Sequence, residues 1–200
     1  MRSYAYLDQA PVQEVDITEG LENTLVLLGS KLQTGVVVHR DYADGLPCIQ
    51  AHGRELNQVW TNIIGNAIDA MGGHGTITIR TSARDGYVVA EIEDDGPGMT
   101  PETAARVFDP FFTTKPTGQG TGLGLNISHN IVVQEHKGRI TVDSTPGRTT
   151  FQVFLPVTTP ARSPAGPHTD DRAARVGARA PISGWRRSSK SEPGVAVRWL

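Results

Sequence analysis

Apolar residues recur at helical spacing in two long segments of the chain. Leucines follow Asp16 at intervals of three and four residues, and Asp16 with Glu19 resembles an N-terminal cap, which predicts a helix over residues 17–32. A broader apolar stripe over residues 56–71, closed by two glycines, predicts the most regular helix of the chain. Shorter helices are predicted at residues 101–107 and from residue 123 onward.

Alternating apolar and polar residues predict the strands. Residues 76–81 and 87–93 alternate on either side of Asp85 and Gly86, a dipeptide typical of a tight turn, so these two strands form a predicted antiparallel hairpin. Other strands are predicted at residues 36–38, 46–49, 139–143 and 149–155. Hairpins in place of strict β-α-β units predict an α+β fold, a two-layer sandwich of helices on a mixed, mainly antiparallel β-sheet.

The composition of the chain changes near residue 160. The chain has 200 residues, 38% of them apolar, and a net charge of -2, which fits one globular domain over residues 17–157. Residues 161–200 contain 8 Lys or Arg against 3 Asp or Glu and are rich in Pro, Arg and Ser, so residues 158–200 are predicted to be a disordered basic tail. No aromatic and basic residues interleave there, and no direct nucleic-acid partner is expected.

The sequence also lacks targeting features, which predicts a cytoplasmic location. No run approaches the roughly 18 apolar residues that span a bilayer, so no transmembrane segment is expected, and residues 1–6 carry no apolar stretch of a secretory signal. The single cysteine, Cys48, excludes an internal disulfide and fits a reducing compartment. It follows Pro47 in an apolar stretch and is predicted to be a small buried residue.

Four polar or glycine-rich segments interrupt these regular patterns and are candidates for chemistry. The first lies on the predicted 56–71 helix, where Asn62 and Asn66 are four residues apart on one face and Asp69 follows three residues later. Two such amides are commonly satisfied core groups. Oxygen ligands on a rigid helix also suit magnesium, which takes one or two protein oxygens together with phosphate and water.

The second segment follows the last strand of the predicted hairpin. Asp94 at the strand end is able to accept a hydrogen bond from an exocyclic amine such as that of adenine. Gly96 and Gly98, ahead of Met99, let the backbone approach a flat ligand. The alternative for this pattern alone is a tight surface turn.

The third and fourth segments follow one another between two predicted helices. Three aromatic residues begin at Phe108 and precede Lys115, and they form either a satellite hydrophobic cluster or the anchor at one end of a mobile segment. A glycine-rich stretch then runs from Gly118 to Gly124 directly into a helix, where backbone N–H groups are available to phosphate oxygens. The Gly-Lys-Ser/Thr ending of a P-loop is absent.

Together the four segments resemble the N, first glycine, F and second glycine boxes of the GHKL (Bergerat-fold) ATPase superfamily, in the order and spacing of the sensor histidine kinases. The resemblance covers about residues 17–156 and implies a histidine kinase catalytic ATP-binding domain with ATP and Mg²⁺ as cofactors. It implies that Asn66 holds the magnesium, that Asp94 reads adenine, and that residues 108–121 form a lid. The residues implied in nucleotide binding are Asn62, Asn66, Asp69, Asp94, Gly96, Gly98, Met99, Phe108, Lys115, Gly118, Gly120, Thr121, Gly122, Leu123 and Gly124.

Two departures within the superfamily bear on the reaction. Hydrolases of the group carry a glutamate as general base where this chain has Asn62, and a neutral amide does not abstract a proton, so phosphoryl transfer to a protein is favoured over hydrolysis. Many sensor kinases place a basic residue at the position of Asp69, so this carboxylate would act through metal or water. No residue is assigned as catalytic.

The resemblance also implies partners. None of the 6 histidines is followed by glutamate, so the phosphoacceptor is expected on a histidine-containing dimerisation domain in another segment or chain. Residues 1–16 would be a linker or the remnant of its second helix, and a response regulator receiver domain would take up the phosphoryl group in this two-component phosphorelay. The alternatives are a non-catalytic ATP-binding regulatory module and an anti-sigma-type serine kinase.

Overall fold

The computed structural model describes residues 12–33, 35–116 and 120–157. Residues 1–11 of the predicted linker and the predicted tail at residues 158–200 lie outside the described residues. In chain order the elements are β1 (Gln13–Val15), α1 (Ile17–Leu27), α2 (Gly29–Leu32), β2 (Val36–Tyr42), β3 (Ile49–Ala51), α3 (Gly53–Ala70), β4 (Gly75–Arg84), β5 (Tyr87–Asp94), α4 (Pro101–Arg106), α5 (Gly124–Asn130), a π-helical turn (Ile131–Glu135), β6 (Arg139–Thr145) and β7 (Arg148–Pro156).

Within the described residues, the main sheet has five strands in the order β2-β4-β5-β7-β6; β2 and β4 are parallel, and the other neighbours are antiparallel. A second sheet pairs β1 with β3 in antiparallel fashion. Helix α3 packs on β5 and is flanked by α1 and α5, so the chain has the predicted α+β sandwich architecture. The predicted turn at Asp85 and Gly86, both with positive φ, joins β4 to β5.

Helix α3 supplies the centre of the core because its apolar stripe repeats every three or four residues. The buried members of the stripe are Leu56, Val59, Trp60, Ile63, Ile64, Ala67 and Ile68. They meet the inward side chains of the sheet, such as Ile77 and Ile79, which are fully buried. The helix ends at Met71, and Gly72 and Gly73 follow with positive φ, as expected for a glycine stop.

The predicted single helix over residues 17–32 is wrong in one respect, because the chain forms two helices there. Asp16 caps α1 as predicted, since its Oδ1 accepts from the backbone N–H of Thr18 at 2.7 Å and of Glu19 at 3.4 Å. The helix then stops at Leu28, whose ψ of 5° leaves the helical range, and α2 restarts at Gly29. Gly29, a residue of low helix propensity, lies directly after the break.

The small sheet was not predicted from the sequence. Residues 13–15, placed in the linker, form β1, and β3 begins at Ile49, where the predicted strand ends. Cys48 is exposed, so its predicted burial is wrong. Side chains alternate along a strand, and because Ile49 and Ala51 take the buried positions, Cys48 falls on the outward side.

The π-helical turn after α5 is held at its end by His136. The backbone N–H of His136 donates to the Ile131 carbonyl at 3.1 Å, which closes the wide turn. The buried imidazole places Nδ1 2.9 Å from the same carbonyl, while Nε2 accepts from the backbone N–H of His52 at 3.1 Å. This pattern makes Nδ1 the donor and joins the turn to the residue before α3.

Two carboxyl groups lie beside this junction. Hydrogen bonding to the Glu55 carboxyl, followed by burial, raises the pKa of Glu135. Glu55 Oε2 is buried and has no hydrogen-bond partner among the described residues. Glu135 therefore holds a proton more tightly in the folded domain than it would in water.

Candidate nucleotide-binding site

A cleft of about 710 Å³ opens between α3, the loop after β5 and the segment that precedes α5. Its size lies within the range of roughly 300–1,000 Å³ that is usual for small-molecule sites. The predicted site residues that line it are Asn62, Asn66, Asp69, Asp94, Gly98, Met99, Lys115, Gly120, Thr121, Gly122 and Gly124. Gly96, Phe108 and Leu123 are not part of this lining, and Gly118 lies outside the described residues.

Asp94 ends β5 and exposes only 4% of its surface. Burial raises its pKa to about 6; the backbone N–H of Gly96, 3.0 Å from Oδ1, opposes the rise, and the charges of Asp95 and Glu93 add to it. A carboxylate desolvated in this way is stabilised by any donor that a ligand supplies. Gly96 leaves room for the Asp94 carboxylate, because a Cβ at position 96 would lie only 2.7 Å from Asp94 Oδ1.

Gly98 fixes the loop after β5 against the turn between β6 and β7. Its φ is 77°, a value that favours glycine, and a Cβ there would overlap the carbonyl oxygen of Thr145. The next residue adds a hydrogen bond, since the backbone N–H of Met99 donates to Ser144 Oγ at 2.8 Å. The loop that bears Gly98 and Met99 is therefore a supported wall of the cleft.

Asn62 joins the two helices that border the cleft. Its Nδ2 donates to the Gly124 carbonyl at 2.9 Å and to Ser128 Oγ at 3.1 Å. Ser128 is fully buried and itself donates to the Gly124 carbonyl at 3.0 Å. The amide of Asn62 thereby holds the start of α5 in place against α3.

Asn66 and Asp69 bind one ammonium group. Lys115 Nζ lies 3.2 Å from Asn66 Oδ1 and 2.7 Å from Asp69 Oδ2, while Lys31 Nζ lies 3.5 Å from Asp69 Oδ1. Burial alone would raise the pKa of Asp69, but the hydrogen bonds and charges of Lys115 and Lys31 outweigh it and lower the pKa. The Asn66 amide oxygen, which already contacts a cation, fits a magnesium ion, because magnesium prefers oxygen ligands.

Residues 120–122 of the glycine-rich stretch pack against Phe111, Thr113 and Lys115. Gly122 has a φ of 65°, and a Cβ there would overlap the backbone of Phe111, which itself has a positive φ and is 74% exposed. A Cβ on Gly120 would lie 3.0 Å from Thr113 Oγ1 and 3.2 Å from the Lys115 side chain. Gly122 is required because a larger residue there would displace the Phe111 backbone, whereas Gly120 is in tight contact with two side chains only.

Phe108 anchors the start of this segment. Its ring lies 6.3 Å from that of Phe151 and 5.4 Å from that of His129, and its carbonyl accepts from Asn126 Nδ2 at 3.0 Å. The Phe108 ring packs against the main hydrophobic core, as expected of an anchor at one end of the segment. Phe108 thus ties the segment to α5 without reaching the cleft.

Several residues of the site were missed in the sequence. Ser128 carried a usable signal, because it lies four residues after Gly124 and so on the same face of α5. Thr149 and Phe151 also line the cleft, from β7. Thr149 pairs with Asp94 across the sheet. The sequence does not specify which residues of β5 and β7 lie opposite each other.

A buried carboxylate, two oxygens that bind a cation and a glycine-rich stretch ahead of a helix meet in one cleft. On a sandwich with this sheet order, the arrangement defines an ATP-binding domain of the Bergerat class.

Among the described residues, no helix combines the length and the apolarity needed to cross a membrane.

Comparison with known proteins gives the family. The chain belongs to the family described as Histidine kinase-, DNA gyrase B-, and HSP90-like ATPase, whose family model matches residues 51–159. It is 38% identical to Sporulation kinase E of Bacillus subtilis (strain 168), over 72% of this chain and 20% of that protein. It is also 38% identical to Sensor histidine kinase ZraS of Escherichia coli (strain K12), over 78% of this chain and 33% of that protein.

Solved structures agree with this family. The catalytic domain of histidine kinase ThkA, in a nucleotide-free form, matches with a TM-score of 0.67 and 29% identity over 74% of this chain and 96% of that chain. ThkA in complex with the response regulator protein TrrA matches with a TM-score of 0.64 and 26% identity over 74% of this chain and 42% of that chain. The chain is a catalytic ATP-binding domain of the sensor histidine kinase type, and it spans a fifth to a third of the length of the two curated relatives above.

Proposed function

We propose that the domain binds ATP with Mg²⁺ and transfers the γ-phosphoryl group to a histidine of a dimerisation domain on another segment or chain. A response regulator receiver domain then accepts the phosphoryl group, and the reaction takes place in the cytoplasm. The relatives named as sensor histidine kinases support this proposal, as does the solved complex of ThkA with a response regulator.

Each part of the cleft has a place in this function. Asp94 accepts from the adenine amine, and its burial makes the contact selective for a donor. Asn66 holds the metal with its Oδ1, and residues 120–122 and Gly124, which line the cleft, present backbone N–H groups to the phosphates. Magnesium, when bound, neutralises the charge on the phosphates during transfer. The protein's part is to position the nucleotide and the acceptor.

The observation that carries the choice of transfer over hydrolysis is the environment of Asn62. Its Nδ2 donates to Gly124 and Ser128, so this amide has structural partners, and a neutral amide has no basic lone pair to take a proton from water. The carboxylates that line the cleft within the described residues are Asp69 and Asp94. Asp69 is paired with Lys115, and Asp94 is assigned to adenine. Without a free general base, water is not activated and a protein acceptor is favoured.

The test is phosphorylation of a histidine-containing helical-hairpin partner with ATP labelled at the γ-phosphate. The expected product is a label on the partner that is lost in acid and stable in base. An Asn66→Asp variant should lose the label, because the added charge and altered ligand disturb the metal site. The matched control is Asn57→Asp, which makes the same change at an exposed position of α3 outside the cleft.

Other outcomes identify other functions. A label that is stable in acid and lost in base, found on a protein serine, would indicate a serine kinase. Release of labelled inorganic phosphate without labelled protein would indicate hydrolysis and contradict the argument from Asn62. Tight magnesium-dependent ATP binding with no label on any tested partner would indicate a regulatory ATP-binding module.

A further inference from the structure

Lys115 provides the cation that touches Asn66 in this structure. Its Nζ lies 3.2 Å from Asn66 Oδ1 and 2.7 Å from Asp69 Oδ2. The two oxygens come from positions three residues apart on α3, so they project from the same face of the helix. One ammonium group therefore occupies the oxygen that the proposed function assigns to the metal.

Several described contacts direct Lys115 to this position. Asp69 makes the shorter of its two contacts and exposes 39% of its side chain, against 32% for Lys115. Lys31 lies 3.5 Å from the other Asp69 oxygen and leaves Oδ2 to Lys115. The Lys115 chain is close to Gly120, where a Cβ would lie 3.2 Å from Lys115 Cδ. The missing side chain of Gly120 gives the lysine chain its room.

We propose that Lys115 is an internal competitor for the divalent cation. Its ammonium holds the Asn66 oxygen in the free domain and leaves that oxygen when the metal and nucleotide bind, and Asp69 is the positioning residue that keeps it there. The inference rests on the proposed role of Asn66 as metal ligand. A metal ion and an ammonium repel each other, so the two do not share one amide oxygen.

The first measurement is the magnesium concentration that gives half-maximal binding of ADP, titrated by calorimetry with Lys115→Met and Asp69→Asn variants. ADP is the probe because it carries no γ-phosphate for Lys115 to contact. Removal of a partly exposed ion contact should lower the midpoint about two- to fivefold in either variant. In the double variant the two effects should not add, because both act through the same contact.

The matched control is Lys31→Met, which removes the same charge from the other oxygen of Asp69. Because Lys31 lies on Oδ1 and Lys115 bridges Oδ2 to Asn66, the control should shift the magnesium midpoint less than Lys115→Met does. Equal shifts in the two variants would mean a general effect of charge and would reject the proposal. A midpoint that rises in Lys115→Met would show that Lys115 recruits the nucleotide, and would also reject it.

A second measurement needs no nucleotide. Hydrogen exchange of the backbone amides at residues 113–115 should be faster in Lys115→Met and Asp69→Asn than in the native chain, because the contact to α3 is lost. Unchanged exchange together with normal magnesium-dependent ADP binding would reject the competitor role alone. Absence of magnesium-dependent ADP binding in every variant would reject the proposed function as well.

Discussion

Replacement of Asp94 by asparagine should stabilise the domain and weaken nucleotide binding. The side chain is 4% exposed, and burial raises its pKa from the usual 3.8 to about 6. Ionisation of Asp94 therefore lowers the free energy of unfolding, because the charged form is less stable in the folded chain than in the unfolded chain. The full difference corresponds to at most about 3 kcal/mol of unfolding free energy, and an isosteric neutral amide should recover about 1–3 kcal/mol of it at pH 8.

The sign of this effect depends on pH in a defined window. Below pH 3.8 the carboxyl is protonated in both the folded and the unfolded chain, so native Asp94 has no ionisation cost there. The cost grows between pH 3.8 and about 6 and is constant above that. Urea denaturation of the native chain and of Asp94→Asn should therefore give a gap at pH 8 that closes towards pH 4.

The same substitution should reduce ADP affinity at pH 7.5 by roughly 10- to 100-fold, because a charged acceptor contributes about 1.5–3 kcal/mol and the amide presents a donor in its place. In the native chain, ADP affinity should fall about tenfold per pH unit below 6, as Asp94 becomes protonated. An Asp94→Asn variant that is less stable than the native chain by the same amount at pH 8 and pH 4, or that binds ADP normally, would contradict both expectations.

Three further predictions concern the supports of the site. Gly98→Ala should lower the melting temperature more than Gly147→Ala, since both residues have positive φ but only the first lacks space for a Cβ; equal losses would contradict this. Asn62→Ala should lower the unfolding free energy by about 0.5–1.5 kcal/mol in urea denaturation, because the part-buried Gly124 carbonyl loses one of its two donors, and an unchanged value would count against the bridge. Glu135→Gln should raise stability at pH 7 by less than about 1 kcal/mol, because solvent screens this exposed residue. The raised pKa of Glu135 means that this gain should vanish below pH 4.5, and a gain that persists there would have another cause.

The central part of the fold follows from local patterns in the sequence. The stripe on α3 repeats over 18 residues, and the turn at Asp85 and Gly86 has few alternatives, so both were predicted in type and place. Asp94 and the glycines after it were recognisable because they interrupt the alternation of apolar and polar residues in the preceding strand. Signals of this kind are contained within a few neighbouring residues.

Features that depend on distant parts of the chain were not predicted. Strand β1 has three residues, two of them exposed and polar, and it is a strand because β3 lies beside it. Cys48 was misplaced because the side that faces the core depends on the register of β3. The contact of Lys115 with Asn66 joins residues 49 positions apart, and no spacing rule relates them.

The hydrogen bonds from Asn62 to α5 separate a fixed part of the site, the cradle, from the stretch between Phe108 and α5. Asn62, Asp94 and the start of α5 belong to the cradle, whose geometry is set by buried and part-buried hydrogen bonds. The described residues between Phe108 and α5 contact α3 and α5 through the Lys115 side chain and the Phe108 carbonyl. Engineers could therefore retune nucleotide residence time by exchanging that stretch alone, with the scaffold left as it is.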